Sequence, residues 1–399
     1  MSLTKHKPLL RWAPLGVLFF LAFIQSCKKD PHTMTTQELE RSIGDSKTYA
    51  SLLSYAEGVG IDTKPYQKSD SVPPVMALLE EIAYGKKPDL RYIEKDLPAD
   101  TAILRAAAED LVTGSPVTKV TGWLQPSFAG YVTLQKEYAK QLEGKDRHKS
   151  DMLAETLNAY RWMKRQSQHA PRMVMVNIQG AYLKALDSTG TEVLFMRTVV
   201  GKGETPTPTM DTYATSIVTH PYWNVPKSIA EGEMLPKVLA DENYLSKNNI
   251  QVVGEDGEVV NPEDINWNKI DRKGKFPYRF RQETGEDNSL GLLKVEMKNP
   301  LAIYLHDTNA RYLFKSEQRW RSHGCVRVQQ PTELANFMAG KELLESNFLT
   351  EPDTTARPPK WNKLSERIPV FLFYLGVDTD ANGRIIYLDD VYKKRSPEA

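Results

Sequence analysis

The chain has 399 residues, of which 40% are hydrophobic and 26% are charged, so it is long enough for two or three domains and has the composition of a soluble globular protein. Its formal net charge of +1 provides no overall basic field, and this argues against a nucleic-acid partner.

The N-terminus is typical of an export signal. Three basic residues precede an apolar run over residues 12–24, which is shorter than the roughly 20 residues that a membrane-spanning helix needs. Cys27 follows this run as in a bacterial lipobox, where the cysteine is lipidated and becomes the mature N-terminus. We therefore expect a lipoprotein signal over residues 1–27, a tether over residues 28–34, and a membrane-anchored protein in the periplasm of a Gram-negative bacterium. A plain signal peptide cut nearby and an uncleaved anchor are the alternatives.

The chain contains two cysteines, Cys27 and Cys325. If Cys27 carries lipid, Cys325 is the single free thiol of the exported protein, and no intramolecular disulfide can form. Two histidines lie close to it in sequence, His306 and His323, and they favour a reactive thiol over an inert buried one.

Residues 35–148 show amphipathic helical patterns without a catalytic cluster. Thr35 and Glu38 have the spacing of a capping box, and Asp100 is placed to cap a later helix. Ser150 is predicted to cap a further helix that follows this block. The patterns predict an all-helical accessory domain.

From Arg172 the apolar period changes to that of β-strands. The strand pattern continues to His220 and returns at residues 290–306. Between these stretches, residues 228–287 are polar and rich in turns, apart from one predicted helix. An insertion of this length inside a β domain is typical of a lid. We predict a catalytic domain over residues 149–395, with residues 228–287 as a capping insert.

The residues that carry chemistry lie in two short stretches, Tyr304 to Asp307 (YLHD) and Ser322 to Arg327 (SHGCVR). A cysteine nucleophile needs an imidazole that takes the thiol proton and a small residue that frees backbone N–H groups. His306 and Cys325 can meet if a strand that ends at His306 lies beside one that opens at Cys325. The spacing does not tell which of the two histidines is the base.

Both stretches resemble the active-site signature of the L,D-transpeptidase family, which has a YkuD-type catalytic domain. The similarity runs over about residues 157–391 and is greatest to the large, lid-bearing YcbB-like branch, which also matches residues 221–226 (PYWNVP) and 288–291 (NSLG). The resemblance implies an α+β protein. A mostly-β, sandwich-like catalytic domain with an inserted lid would follow an all-helical scaffold domain.

The resemblance also implies acyl transfer between peptidoglycan tetrapeptide stems. The thiolate of Cys325 would attack the meso-diaminopimelate–D-Ala bond of a donor stem, D-Ala would leave, and an amine of an acceptor stem would resolve the thioester to a 3→3 crosslink. His306 matches the family's proton donor and acceptor, and Asp307 would orient it through its backbone carbonyl. His323 and Gly324 would belong to the oxyanion region.

Arg327 is a candidate for holding a substrate carboxylate or the local fold. Four further side chains are candidate substrate contacts: Tyr304, Tyr222, Trp223 and Ser322. We expect no cofactor and no metal, and we expect β-lactams of the carbapenem type to be covalent inhibitors.

Three other functions use the same residues. A structural zinc site could use His306, His323 and Cys325, but it lacks an obvious fourth ligand. A wall-binding lipoprotein would carry an inactive thiol. Water in place of the acceptor amine would make the protein an L,D-carboxypeptidase or endopeptidase, because both reactions use the same acyl-enzyme.

Overall fold

The computed structural model describes residues 29–67, 72–144, 146–241, 243–270, 276–350 and 357–394. The predicted signal, including Cys27, lies outside the described residues, as does the first residue of the predicted tether. Within the described ranges, no helix is both long enough and apolar enough to cross a membrane.

Seven α-helices lie within the described residues between 36 and 166. They are α1 (Thr36–Gly44), α2 (Lys47–Glu57), α3 (Val75–Tyr84), α4 (Thr101–Val112), α5 (Val117–Leu124), α6 (Ala129–Gly144) and α7 (Arg147–Gln166). The predicted capping box is present, because Thr35 Oγ1 accepts from Glu38 N at 3.3 Å and the Glu38 carboxylate accepts from Thr35 N at 2.7 Å. Asp100 caps α4 as predicted.

The predicted cap of α7 at Ser150 is wrong. Asp146 caps this helix, and its carboxylate accepts from Lys149 N at 3.1 Å. Ser150 lies inside the first turn and donates its hydroxyl to Asp146 O at 2.8 Å. Both residues suit an N-cap, and the helix begins at the earlier one, where the carboxylate satisfies a free N–H group.

One strand, β1 (Tyr92–Ile93), lies between α3 and α4 and pairs with the main sheet, so the prediction that residues 35–148 are all-helical is wrong at this point. In the described part of the chain, the other strands and four more α-helices follow α7. The strands are β1 (Tyr92–Ile93), β2 (Arg172–Asn177), β3 (Tyr182–Asp187), β4 (Glu192–Gly201), β5 (Met210–Thr219), β6 (Trp223–Asn224), β7 (Ile250–Val253), β8 (Val259–Val260), β9 (Arg279–Gln282), β10 (Leu293–Met297), β11 (Leu305–His306), β12 (Trp320–Ser322), β13 (Val326–Val328), β14 (Lys360–Phe373), β15 (Val377–Thr379) and β16 (Ile385–Tyr387). The helices are α8 (Lys227–Ile229), α9 (Leu235–Ala240), α10 (Tyr244–Lys247) and α11 (Pro331–Ala339).

The main sheet has the order β1-β5-β10-β11-β13-β4-β3-β2-β14, with β12 beside β4. Strand β14 pairs with β2 on one side and with β5 on the other, so the sheet closes on itself. Buried apolar side chains fill the space inside, among them Val174, Leu183, Ile217, Val295, Leu305, Val326 and Val370. Helices followed by this sheet confirm the predicted α+β class.

Helices α6 and α7 pack on the outside of the closed sheet. Their side chains share one buried cluster with β2, β3 and β14 that includes Tyr160, Trp162, Met175 and Phe371. The remaining helices have a separate core. The sheet therefore meets the helical region through α6 and α7 and through β1, which pairs with β5.

The described residues of the predicted insert, 228–287, form a layer of their own together with residues 223–227, and this whole segment is the insert in the structure. Strands β6, β9, β7 and β8 make a four-stranded sheet beside α8, α9 and α10. This layer has its own apolar core, which includes Val225, Met234, Val252 and Phe280. A π-helical turn, Ala230–Met234, separates α8 from α9, and such turns occur often at functional sites. That these residues act as a lid stays a prediction.

A buried polar cluster joins α7, β3 and β15. Asp378 is fully buried, and its carboxylate accepts from Lys184 Nζ at 3.0 Å, from Tyr160 Oη at 2.8 Å and from Tyr182 Oη at 2.7 Å. Lys184 also donates to Thr379 Oγ1 at 2.9 Å. Each charge therefore has partners that compensate its removal from water.

A second buried carboxylate forms no ion pair with any of the described residues. Asp211 on β5 accepts from Trp162 Nε1 at 2.8 Å, and burial raises its pKa from 3.8 to about 7. Folding therefore favours the protonated acid.

We expect this group to make stability depend on pH. The contribution of the Asp211 carboxyl group to the free energy of unfolding is fully present below its unfolded pKa of 3.8. This contribution is lost as pH rises through the folded pKa of about 7. Asp211→Asn keeps an acceptor for Trp162 and should stabilise the protein on the order of 2 kcal/mol above neutral pH. Urea unfolding of both proteins across this range measures the difference, and parallel pH profiles would contradict the prediction.

Candidate active site

Two adjacent parallel strands bring the predicted catalytic residues together. Strand β11 pairs with β13 so that His306 lies opposite Arg327, and Val326 N donates to Tyr304 O at 3.1 Å. Side chains two residues apart lie on the same face of a strand. Tyr304 and His306 therefore share a face with Cys325 and Arg327.

This face lines a cavity of about 430 Å³ between the closed sheet and the insert. The sheet contributes Tyr304, His306, Ser322, His323, Cys325 and Arg327. The insert contributes residues that include Trp223, Ile229, Glu233, Met234 and Lys237. The cavity therefore has the thiol and both histidines on one side and a mixed apolar and charged wall on the other.

His306 is buried, with 4% of its surface exposed. Burial lowers its pKa to about 3, and the charge of Arg327 acts in the same direction. Its Nδ1 atom has no hydrogen-bond partner at good geometry among the described residues, although weaker backbone interactions with Asp307 and Leu290 raise the pKa. The ring is consequently neutral at physiological pH, in the form that accepts a proton.

The carboxylate of Asp307 holds the neighbouring turn. It accepts from Arg311 Nη2 at 2.7 Å and from Leu292 N at 2.9 Å. Gly291 has φ +61°, and a Cβ atom there would lie 2.2 Å from Asp307 Oδ2, so glycine is required. The backbone of Asp307 raises the pKa of His306, and that it orients the ring stays a prediction.

Tyr304 is the side chain nearest to the nucleophile in the strand register. Its ring lies edge-on to His306, with 5.6 Å between the ring centres, and the Cys325 thiol donates to Ala302 O at 3.6 Å. Burial raises the pKa of Cys325, while polar interactions with Tyr304 and the charges of Lys294 and Arg327 lower it. Burial has the larger effect, so the resting pair is a neutral thiol and a neutral imidazole.

Lys294 was missed by the sequence analysis. It lies opposite His306 on β10, pairs with Glu296, and has its Nζ 4.2 Å from the centre of the Tyr304 ring. A single lysine in a strand pattern gives no signal in the sequence. Only the pairing of β10 with β11 places its charge beside the site.

The turn that carries the nucleophile is fixed by hydrogen bonds. Ser322 Oγ donates to Cys325 O at 2.6 Å and accepts from Gly324 N at 3.1 Å. Thr207 Oγ1 donates to Gly324 O at 2.8 Å from the β4–β5 loop. Gly324 has φ +117°, which favours glycine. Because the N–H of Gly324 donates to Ser322, it is not available to an oxyanion. The N–H of Cys325 is then the candidate oxyanion donor of this motif.

Arg327 is half-buried beside the thiol. Burial lowers the pKa of its guanidinium, and its Nε atom has no hydrogen-bond partner among the described residues. A buried N–H group without a partner is costly. The guanidinium is therefore suited to receive a carboxylate of a bound molecule.

The other predicted site residues do not all lie at the cavity. Trp223 and Ser322 line the cavity. Tyr222 is not among its lining residues, and the guanidinium of Arg281 lies 4.8 Å from the centre of its ring. His323 Nε2 lies 2.6 Å from Glu233 Oε1 of the insert. Among the described residues, no group of three or more histidine, cysteine, aspartate or glutamate side chains is arranged to hold a metal ion.

Comparisons with known proteins identify the family of the catalytic domain. Residues 171–357 match the model of the YkuD family, the L,D-transpeptidase catalytic domain. The chain is 36% identical over 223 residues to a putative L,D-transpeptidase of Haemophilus influenzae, and the match covers 55% of this chain and 44% of that protein. The chain therefore spans less than half the length of this curated relative.

Solved structures show weaker similarity. L,D-transpeptidase LdtMt1 in complex with imipenem is 12% identical, with a TM-score of 0.25, 51% of this chain covered and 59% of that chain covered. A mutant of the Enterococcus faecium L,D-transpeptidase is 11% identical, with a TM-score of 0.23 and coverages of 51% and 50%. By the family match, residues 171–357 form a catalytic domain of the YkuD family of L,D-transpeptidases.

Proposed function

We propose that the protein forms 3→3 crosslinks in peptidoglycan through a thioester on Cys325. The observation that carries this proposal is the shared face of β11 and β13, where His306 and Cys325 line one cavity with Arg327. A thiol with a neutral imidazole beside it is the arrangement that covalent acyl transfer needs, and the guanidinium of Arg327 can hold a carboxylate of the donor.

The first half-reaction follows from the charge state of the site. Because thiol and imidazole are both neutral at rest, the proton of Cys325 passes to His306 as Sγ attacks the carbonyl of meso-diaminopimelate. The C–S bond forms, the C–N bond to D-Ala breaks, and the same proton goes to the leaving amine. The N–H of Cys325 faces the developing oxyanion, and Arg327 holds a carboxylate of the donor stem.

The test is mass spectrometry of the intact protein with disaccharide tetrapeptides. We expect a thioester on Cys325, released D-Ala and 3→3 dimers, and we expect all three to be absent with Cys325→Ala. Because the nucleophile is essential to covalent catalysis, the loss should exceed about a thousandfold. Intact protein that gives no thioester and no dimers would falsify the proposal.

Other products would identify the alternative functions. A thioester that yields tripeptide without dimers would indicate an L,D-carboxypeptidase or endopeptidase. Crosslinking that is unaffected by Cys325→Ala would indicate a non-catalytic wall-binding lipoprotein. A fall in thermal stability on addition of a chelator would indicate a zinc site.

We also propose that the thiol is acylated by carbapenems. The basis is the thiol of Cys325, which lines the same cavity as His306. A different protein, the L,D-transpeptidase LdtMt1, has been solved in complex with the carbapenem imipenem. An imipenem adduct in the intact mass, lost with Cys325→Ala, supports the proposal. Absence of an adduct contradicts it.

The location is proposed from the sequence alone. Basic residues, an apolar run and Cys27 support export to the periplasm and a lipid anchor. The helical domain, residues 35–148, is proposed to be a scaffold for the catalytic domain. Intact mass of the protein extracted from membranes should show the added lipid, and a mass that includes residues 1–26 would exclude a cleaved lipoprotein signal.

A further inference from the structure

The insert contributes one charged group that contacts the nucleophile motif directly. Glu233, in the π-helical turn of the insert, places Oε1 2.6 Å from His323 Nε2. His323 lies two residues before Cys325, and Glu233, His323 and Cys325 all line the same cavity. A carboxylate paired with an imidazole next to a nucleophile orients the ring and fixes its tautomer.

This contact decides which nitrogen of His323 is available. With Nε2–H donated to Glu233, Nδ1 is the nitrogen left for a bound molecule, and it carries a free electron pair. The side chain of His323 is 35% exposed and that of Glu233 is 46% exposed, so both can be reached from solvent.

His306 is less accessible to the acceptor amine than His323 is. It is 4% exposed and lies on the strand face beside the thiol, where it takes part in the acylation step. The acceptor amine arrives from solvent after D-Ala has left, and the side chain of His323, which is 35% exposed, is the more accessible imidazole.

We propose that His323 is the general base for the acceptor amine and that Glu233 is its positioning residue. This inference rests on the proposed function. The pair consists of the Glu233 carboxylate from the insert and the His323 imidazole from the closed sheet. The active site is therefore complete only when the insert packs over the nucleophile.

Resolution of the thioester needs only the acceptor amine, Cys325 and His323. The amine nitrogen attacks the thioester carbonyl, and a C–N bond forms. The C–S bond breaks, and its electron pair returns to Cys325 Sγ. One N–H proton of the amine passes to His323 Nδ1, and Glu233 stabilises the charged ring. This proton then passes to the Cys325 thiolate, directly or through water, which restores the neutral thiol and the neutral imidazole.

The experiment separates the two half-reactions in the full-length protein. A tetrapeptide donor forms the thioester, D-Ala release gives the acylation rate, and a second stem with a free amine gives the resolution rate. Glu233→Gln can present an NH₂ group to Nε2 and so favour the tautomer in which Nδ1 carries the proton. We expect resolution to slow at least about tenfold while acylation changes less than about twofold.

Three further variants complete the test. Glu233→Asp keeps the charge and should recover part of the resolution rate. In a His323→Gln background, Glu233→Gln should have no additional effect, because it acts through that ring. The matched control is Glu231→Gln, since Glu231 lies in the same turn but pairs with Lys227 at 3.5 Å.

The acylation and resolution rates together distinguish failure of this inference from failure of the proposed function. Equal slowing of both half-reactions shows that Glu233 only supports the fold of the insert and overturns the inference, as do unchanged rates in Glu233→Gln. If the unmodified protein forms no thioester, the proposed function fails and this inference fails with it. If it forms the thioester and Glu233→Gln resolves it normally, only this inference fails.

Discussion

Replacement of His306 by glutamine is expected to slow acylation of Cys325 by about a hundredfold to ten-thousandfold. The resting thiol is neutral because burial raises its pKa, so attack on a carbonyl requires a base that takes the proton at that moment. His306 shares the strand face with Cys325 and is neutral, and glutamine removes the proton acceptor while it keeps a polar side chain of similar size. Stopped-flow measurement of imipenem acylation, or of D-Ala release, gives the rate.

His32→Gln is the matched control for this prediction. His32 is exposed and pairs with Glu109 in the helical region at 2.8 Å, so its loss should leave acylation unchanged. A His306→Gln protein that acylates within a few-fold of the normal rate would show that another group takes the thiol proton. His323 would then serve both half-reactions.

Replacement of Asp378 by alanine is expected to destabilise the protein by about 3–5 kcal/mol. It leaves Lys184, 2% exposed, without its counter-charge, and it removes the acceptor shared by Tyr160 and Tyr182. Urea unfolding followed by circular dichroism measures the change. The residues of this cluster do not line the active-site cavity, so acylation of the folded fraction should be unaffected.

Two variants distinguish the buried charge from a general effect of the substitution. Asp380→Ala removes an exposed carboxylate from the neighbouring turn and should cost less than about 1 kcal/mol. Lys184→Met combined with Asp378→Asn removes both charges and should cost less than Asp378→Ala alone. A loss of less than about 1 kcal/mol in Asp378→Ala would contradict the assignment of this cluster as a stabilising network.

The sequence by itself determined the local features and the chemistry of the motif. Thr35 with Glu38 and Asp100 cap helices because capping depends on groups three residues apart or fewer. The change of apolar period near Arg172 located the start of β2 and of the continuous run of strands, but not β1, which is two residues long and gives no period. Cys325 is identified by its neighbours in sequence, and its approach to His306 required only that their two strands be adjacent.

Only the tertiary structure decided the electrostatics and completeness of the site. Lys294 and Glu233 lie 31 and 92 residues before Cys325, and their positions depend on the pairing of β10 with β11 and on the packing of the insert. The pKa of His306 falls because the fold buries it beside Arg327, and no local pattern encodes that burial. Contacts between residues so far apart depend on the whole fold, and for this reason the sequence supplied the nucleophile while the fold supplied the groups that control its charge.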